Sequence, residues 1–314
     1  MKIKLKIISP VHIGSGEEIS PVEYLVDKDK FIRLNMRGLF KDRDFKKYQE
    51  RFIEESSHNR YIGNFVPPDI LRKYPLYSIS MDPEAEKYVQ DHKTTIKSVI
   101  KSAGRVFIPG SSLKGSILSA VMEKVLKDKR ERNLGRYQSL LDQVIGEISE
   151  RPQNNRFSRW LDVVDSDFKR AEEALQLSLA KLVGARSEKE MPMLYETIKE
   201  GIEFNSEIKT SLNSVDKWGK LTEEEILKIA DEFYRKVYKR SAASAIALPE
   251  KGFLLRLGQG STAYSTSFLI LAEELGIKNY TIQRPSFHRT FGPPKTKKLI
   301  SGKKPLGWTE ISYE

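Results

Sequence analysis

The stretch Pro109-Gly-Ser-Ser-Leu-Lys-Gly115 gathers two glycines, two hydroxyls and an ammonium group between a short strand-like run, Val106 to Ile108, and a helix. The helix is read from Ile117, Leu118, Val121, Met122, Val125 and Leu126, an amphipathic pattern. The first amides of a helix lack internal partners and sit at the positive end of its dipole, so such a junction attracts phosphate. Lys114 adds a full charge, and Gly110 and Gly115 leave room for a sugar-phosphate backbone. A purely architectural account has Ser111 or Ser112 capping the helix and Gly110 making the turn. It explains the serines, but not a lysine flanked by a second glycine. The glycine spacing is that of a P-loop, yet Ser116 rather than lysine follows Gly115, so ATP binding is not expected.

A second candidate is Arg256-Leu-Gly258-Gln-Gly260, where glycines after a strand expose backbone amides to an anion. Tyr264, just beyond, is placed to stack on a base. A third glycine is missing, so no dinucleotide fingerprint is read. The basic tail adds Lys295, Lys297, Lys298, Lys303 and Lys304 among prolines and glycines, a composition that neutralises phosphates without reading sequence. The net charge of +11 is concentrated: His92 to Met122 and Leu275 to Thr309 contain no acid and hold 13 basic residues, leaving 41 basic against 43 acidic residues elsewhere. Such segregation points to a polyanion partner; a solvated charged surface is the plainer alternative.

Catalysis has fewer handles. There is no cysteine, which removes disulfides, thiolate metal sites and cysteine nucleophiles. His12 lies beside a glycine turn and has the chemistry of a general acid or base in metal-independent RNA cleavage, but no partner stands near it in sequence. His58, His92 and His288 form no constellation. Asp162, Asp165 and Asp167 would suit a cation, although an aspartate-rich strand end is commoner. No metal, cofactor or catalytic residue is expected. No run is apolar enough to span a membrane and the N-terminus lacks a signal-peptide core, so a cytoplasmic protein is expected.

Elements that must position these groups follow from periodicity. Strands are predicted at residues 2–8, at Val22 to Val26 with a hairpin partner at Phe31 to Leu34, at Leu161 to Val164, within Leu194 to Thr210, at Phe253 to Leu257 and at Trp308 to Tyr313. Ser9 to Gly16 reads as a turn. Residues 37–62 are helix-prone, and the proline-bearing residues 63–92 read as irregular. Thr94 to Ser102, if helical, aligns Lys93, Lys97 and Lys101. Residues 127–158 read as polar and partly helical, and Ala171 to Leu182 as an ambiguous helix. Thr222 and Glu225 form a capping box ahead of a helix, and Phe268 to Leu275 is a short helix. The whole reads as α+β, with units at 1–188 (carrying an insertion around 37–92) and 189–314.

Ser9-Pro-Val-His-Ile-Gly-Ser-Gly16 resembles the first-strand signature of the RAMP superfamily, RNA-binding proteins of CRISPR systems. Phe107-Ile-Pro-Gly-Ser-Ser-Leu-Lys-Gly115 resembles its most recognisable motif, and Leu255-Arg-Leu-Gly-Gln-Gly260 its glycine-rich loop. The segments Pro294-Lys-Thr-Lys-Lys-Leu and Pro305-Leu-Gly-Trp308 are similar to the C-terminus of the fifth-subunit family of type III-A effector complexes. The resemblance implies two ferredoxin-like, RRM-like RAMP domains with helical and irregular insertions. It implies a non-enzymatic subunit that caps the complex at the 3′ region of the guide RNA (crRNA). Its implied partners are a neighbouring RAMP backbone subunit, a small helical subunit and recruited cellular nucleases. By position it places Gly110, Ser111, Ser112, Lys114 and Gly115 on the RNA path, with His12, Gly14, Arg256, Gly258, Gly260, Lys297 and Lys298 as further contacts. After Gly260 the chain has Ser-Thr-Ala where the family often has another glycine. The alternatives are a repeat-cleaving RAMP endoribonuclease using His12, or another RAMP backbone subunit.

Overall fold

The sequence Lys-Ile-Lys-Leu-Lys-Ile alternates perfectly, and in the computed structural model it is a central strand, β1 (Lys2–Ile7), with Ile3, Leu5 and Ile7 buried and the lysines outside. The structure describes residues 1–134, 161–184, 192–210, 222–241, 246–284, 287–290, 292–293 and 296–313. Around β1 the chain supplies α1 (Gly110–Asp128), β2 (Leu161–Val163), β3 (Glu203–Thr210), α2 (Glu223–Ser241), β4 (Phe253–Arg256) and β5 (Trp308–Tyr313). The sheet runs β4-β5-β1-β3-β2, antiparallel throughout. Without β5 this is a β-α-β-β-α-β ferredoxin-like unit. Helices α1 and α2 pack on each other, and their apolar residues, Ile117, Val121, Phe233 and Val237 among them, join Ile3, Leu5 and Ile7 in one core.

A second, nine-stranded sheet fills the long connections of the first. Its main path runs Gly14–Ile19, Ile96–Val99, Met193–Ile198, Leu175–Gly184, Pro75–Met81, Lys30–Leu34, Tyr24–Asp27, with Thr296–Ile300 also paired to Leu175–Gly184. The α+β architecture expected from sequence is present, built on two large sheets. The boundary at 188/189, however, does not separate the sheets. β3, β4 and β5 pair with or beside β1, and Met193–Ile198 pairs with Leu175–Gly184. Strand pairing joins segments far apart in sequence, which composition along the chain does not reveal.

Several local expectations are corrected. Thr94 to Ser102 is not a helix: Ile96–Val99 and Lys101–Ser102 are strands, as β-branched residues favour. Only the second half of Val22 to Val26 is extended, because Pro21–Glu23 turns first. The turn after β1 is shorter than read, since Gly14–Ile19 is already a strand. Residues 63–92 are ordered: Pro68 and Pro83 occupy first helical positions and Pro75 opens a strand, all sites that need no amide. Ala171–Ala174 is one helical turn before the strand Leu175–Gly184, whose Leu175, Leu177 and Leu179 alternate into the core. The helix expected at Phe268 to Leu275 spans Leu269–Glu274, and the Thr222–Glu225 capping box is formed. Of the reading at 127–158, residues 135–158 lie outside the described residues.

Two glycines of the same helix separate sharply. A Cβ on Gly110 would stand 2.1 Å from the Val163 carbonyl oxygen, whereas one on Gly115 meets nothing within 4 Å. Urea denaturation is therefore expected to show Gly110→Ala losing about 2–3 kcal/mol and Gly115→Ala gaining about 0.5–1 kcal/mol. Equal effects at the two positions would contradict this packing.

Candidate nucleic-acid interface

Three segments widely separated in sequence meet at one corner. The amides of Ile8 and Ser9 both donate to the Trp308 carbonyl (3.0 and 3.1 Å), Gly307 N donates to Pro10 O (2.9 Å), and Gln259 N to His12 O (2.7 Å). Leu257 N reaches Gly307 O (2.7 Å), and Trp308 N takes the Ser9 hydroxyl as acceptor (3.0 Å). Gly258 has φ +64°, and a Cβ there would lie 2.2 Å from the His12 carbonyl oxygen. Here a positive φ and a close backbone approach both require glycine. The tip of the loop, Gly258 and Gln259, remains exposed.

α1 stands beside this corner. The Ser116 hydroxyl donates to Arg256 O (2.8 Å), and the Tyr234 hydroxyl to Ser116 O (3.2 Å). The start of α1 differs from expectation. Neither Ser111 nor Ser112 caps it; Pro109 is the N-cap residue, and Asp165 Oδ1 accepts from Gly110 N at 2.7 Å. The Ser112 and Leu113 amides both return to Pro109 O (3.0 and 3.3 Å). The proposed nest of unpaired amides is thus largely satisfied from within. Ser111 and Gly115 are exposed, Ser112 and Lys114 half-buried, and Lys114 is engaged within the chain.

Other predicted contacts point inward. His12 is 4% exposed; its Nδ1 lies 2.8 Å from Glu196 O and its ring meets Tyr195 edge-on at 4.8 Å. Burial holds its imidazole below the ordinary value, against the opposing pull of the Glu196 carbonyl and charge. Gly14 is exposed beside it, and a Cβ there would come within 3.1 Å of His12 Nε2. An enclosed, weakly basic ring does not fit a general acid working on RNA. Arg256 is also 4% exposed, its guanidinium 4.9 Å from the Trp308 ring centre and its Nε on Leu306 O (3.1 Å). Burial lowers it to about 10, which leaves it charged at neutral pH. Its Nη1 has no hydrogen-bond partner and no carboxylate pairs with it among the described residues. Tyr264, expected to stack on a base, is buried with its hydroxyl on Glu273 (3.3 Å). Lys298 donates to Tyr195 Oη (2.6 Å), while Lys297 is half-buried on the same strand.

Much of the basic excess in the first acid-free window is spent internally. Lys93 caps the carbonyls of Val89 and Gln90, Lys97 pairs with Glu18, and Lys101 with Glu196. Glu196, wholly buried, also accepts from the Tyr77 hydroxyl, the Ser98 hydroxyl (3.1 Å) and Val99 N (2.9 Å). No sequence signal marked this cluster. In the second window Lys304 pairs with Glu200 (2.6 Å), and Lys295 lies outside the described residues. The aspartates serve the fold: Asp165 as above, Asp167 accepting from Asn205 N (2.8 Å) and pairing with Lys169 (3.0 Å). Asp162 is exposed, and no cation-binding cluster occurs among the described residues.

The model of the family described as the RAMP superfamily matches residues 4–263. A Methanocaldococcus jannaschii protein, "CRISPR system Cms protein Csm5", is 28% identical over 125 residues, and one of the same description from Streptococcus thermophilus is 26% identical over 142. These matches cover 38% and 41% of the chain but only 30% and 40% of the relatives. A chain in a cryo-EM structure of a Csm-crRNA-target RNA ternary complex of a type III-A CRISPR-Cas system superposes with TM-score 0.73 at 22% identity, covering 99% of this chain and 100% of that one. The crystal structure of T. onnurineus Csm5 gives 0.67 at 22%, covering 98% and 99%. Both share the fold.

The His12 environment has a measurable signature. Unfolded, the ring titrates near 6.5, and folded it titrates lower. Between these values only the unfolded chain holds the proton, so the contribution is full above about pH 6.5 and is lost as pH falls. Urea midpoints measured from about pH 8 to 5 should fall more steeply for the wild type than for His12→Gln. A difference independent of pH would mean that the ring is open to solvent.

Proposed function

The chain belongs to the RAMP superfamily, and from that premise we propose that it is a structural, RNA-binding subunit of a type III-A CRISPR effector complex, acting in the cytoplasm at the 3′ region of the guide RNA. The reading is supported by the Csm5 relatives and by the likeness to a chain of a Csm-crRNA-target complex. Its partners are the guide, a neighbouring RAMP backbone subunit, a small helical subunit and nucleases that trim the guide. It acts by binding rather than by catalysis, supporting guide maturation and antiviral defence.

The observation that carries the reading is Gly115. Glycine inside a helix costs about 1 kcal/mol relative to alanine. At Gly258 a positive φ accounts for the glycine, and at Gly110 a steric wall does; at Gly115 neither exists. A ligand backbone lying across the helix accounts for it. Ser111 and Lys114 flank that surface, and the Gly258–Gly260 loop adjoins it through the Ser116 to Arg256 bond. A phosphate entering there also supplies a counter-charge for the buried Arg256, which pairs with no carboxylate among the described residues. The His12 carbonyl holds the loop through Gln259 N, Gly14 lies exposed beside it, and Lys297 and Lys298 extend the basic border.

Fluorescence anisotropy with a labelled single-stranded RNA tests this. Gly115→Ala is expected to weaken binding several-fold while the protein becomes more stable, a combination that loss of folding cannot produce. Lys114→Ala should reduce the slope of log affinity against log salt by about 0.7, one phosphate on a single strand. Unchanged affinity and slope in both variants would remove RNA from this surface.

A further inference from the structure

A small three-stranded sheet is built from segments on either side of α1 in sequence: Lys101–Ser102, Arg105–Val106 and Lys169–Arg170, with Arg105–Val106 in the middle. Its hairpin tip turns through Ala103 (φ 48°) and Gly104 (φ 74°), and Ser102 to Arg105 are all exposed. The register sets Arg170 directly opposite Arg105, and Lys169 opposite Val106. Carried one residue further, it sets Phe168 opposite Phe107, and those rings are 5.2 Å apart. Residues two apart on a strand share a face. One face of this sheet therefore presents Arg105 and Phe107 on one strand, and Phe168 and Arg170 on the next.

Two features of this face are unfavourable for the isolated chain. Like charges directly opposite across a strand pair destabilise it. Among the described residues, Arg105 makes no ion pair, and Arg170, its side chain 69% exposed, forms only solvent-open ion pairs through its Nε with Glu172 (3.6 Å) and Glu173 (3.9 Å), on the helical turn that follows it. Phe168 is 47% exposed beside an almost buried Phe107 (8%), leaving one aromatic face open to solvent. An anion between two guanidinium groups and a flat apolar ring against the open phenyl relieve both at once. A nucleotide carries both groups in one unit. A purely apolar protein segment would cover Phe168 but leave the arginine pair opposed.

The geometry points to a nucleotide-binding platform for single-stranded RNA: a base stacks on Phe168 and an adjoining phosphate lies between Arg105 and Arg170. The platform rests on the RNA-binding reading above and adds a contact that the motif residues do not include. The chain runs from it through Pro109 into α1, whose Gly110 abuts Val163 and Val164, so one strand of RNA can follow both surfaces.

The test uses the full-length chain and a fluorescein-labelled mixed-sequence RNA of about 12 nucleotides. Phe168→Leu, which keeps apolar bulk without an aromatic face, is expected to weaken binding roughly 5- to 100-fold, and Phe168→Tyr to retain it. Arg105→Ala should lower the salt slope by about 0.7, with Gly115→Ala affected independently. If the wild type and Gly115→Ala behave as described above but Phe168→Leu and Arg105→Ala bind like wild type, the platform is wrong and the α1 surface stands; a protein partner on this face would give that result. If the wild type binds no RNA, both fall together.

Discussion

The structure depends on a close crossing of three backbones. The end of β1, the Gly258–Gly260 loop and the Gly307–Trp308 segment exchange amides and carbonyls with almost no side chains between them. Only glycine allows such spacing, because a Cβ on Gly258 or Gly307 would lie within 2.4 Å of a carbonyl oxygen. The crossing fixes β5 beside β1 and so completes the first sheet. The bridge between Val11 and Ile198, just beyond it, ties the same segment to the second sheet. Both sheets therefore hang from residues 7–13, a stretch that from Ser9 onward reads in sequence as a simple turn.

Burial at this crossing has an electrostatic consequence. His12, Glu196 and Lys101 are drawn inside, and the carboxylate is surrounded by donors from Tyr77, Ser98, Val99 and Lys101. Breaking one side of such a cluster strands a charge in a poor solvent. A lysine in an acid-free window is thus not necessarily an available one. Lys93, Lys97 and Lys101 are committed to the fold, and the exposed cations that remain, notably Arg105, lie where the chain leads into α1.

The surfaces proposed for RNA offer shape and charge rather than base-edge readout. An open glycine on α1, a loop tip with exposed backbone and opposed arginines beside an open phenyl ring each suit a sugar-phosphate chain of any sequence.

The sequence by itself determined the alternation that makes β1, the amphipathic α1 and α2, the capping box at Thr222 and the motif residues that reveal the family. These are local: periodicity and capping chemistry act within a few residues. It could not determine that Asp165 takes the Gly110 amide, that Arg256 and Tyr264 point inward, or that Phe168 comes to stand against Phe107 with Arg170 opposite Arg105. Those facts follow from the pairing of strands tens to hundreds of residues apart. Such pairing decides which side of a strand is covered, and so whether the same arginine becomes a buried prop or an exposed contact.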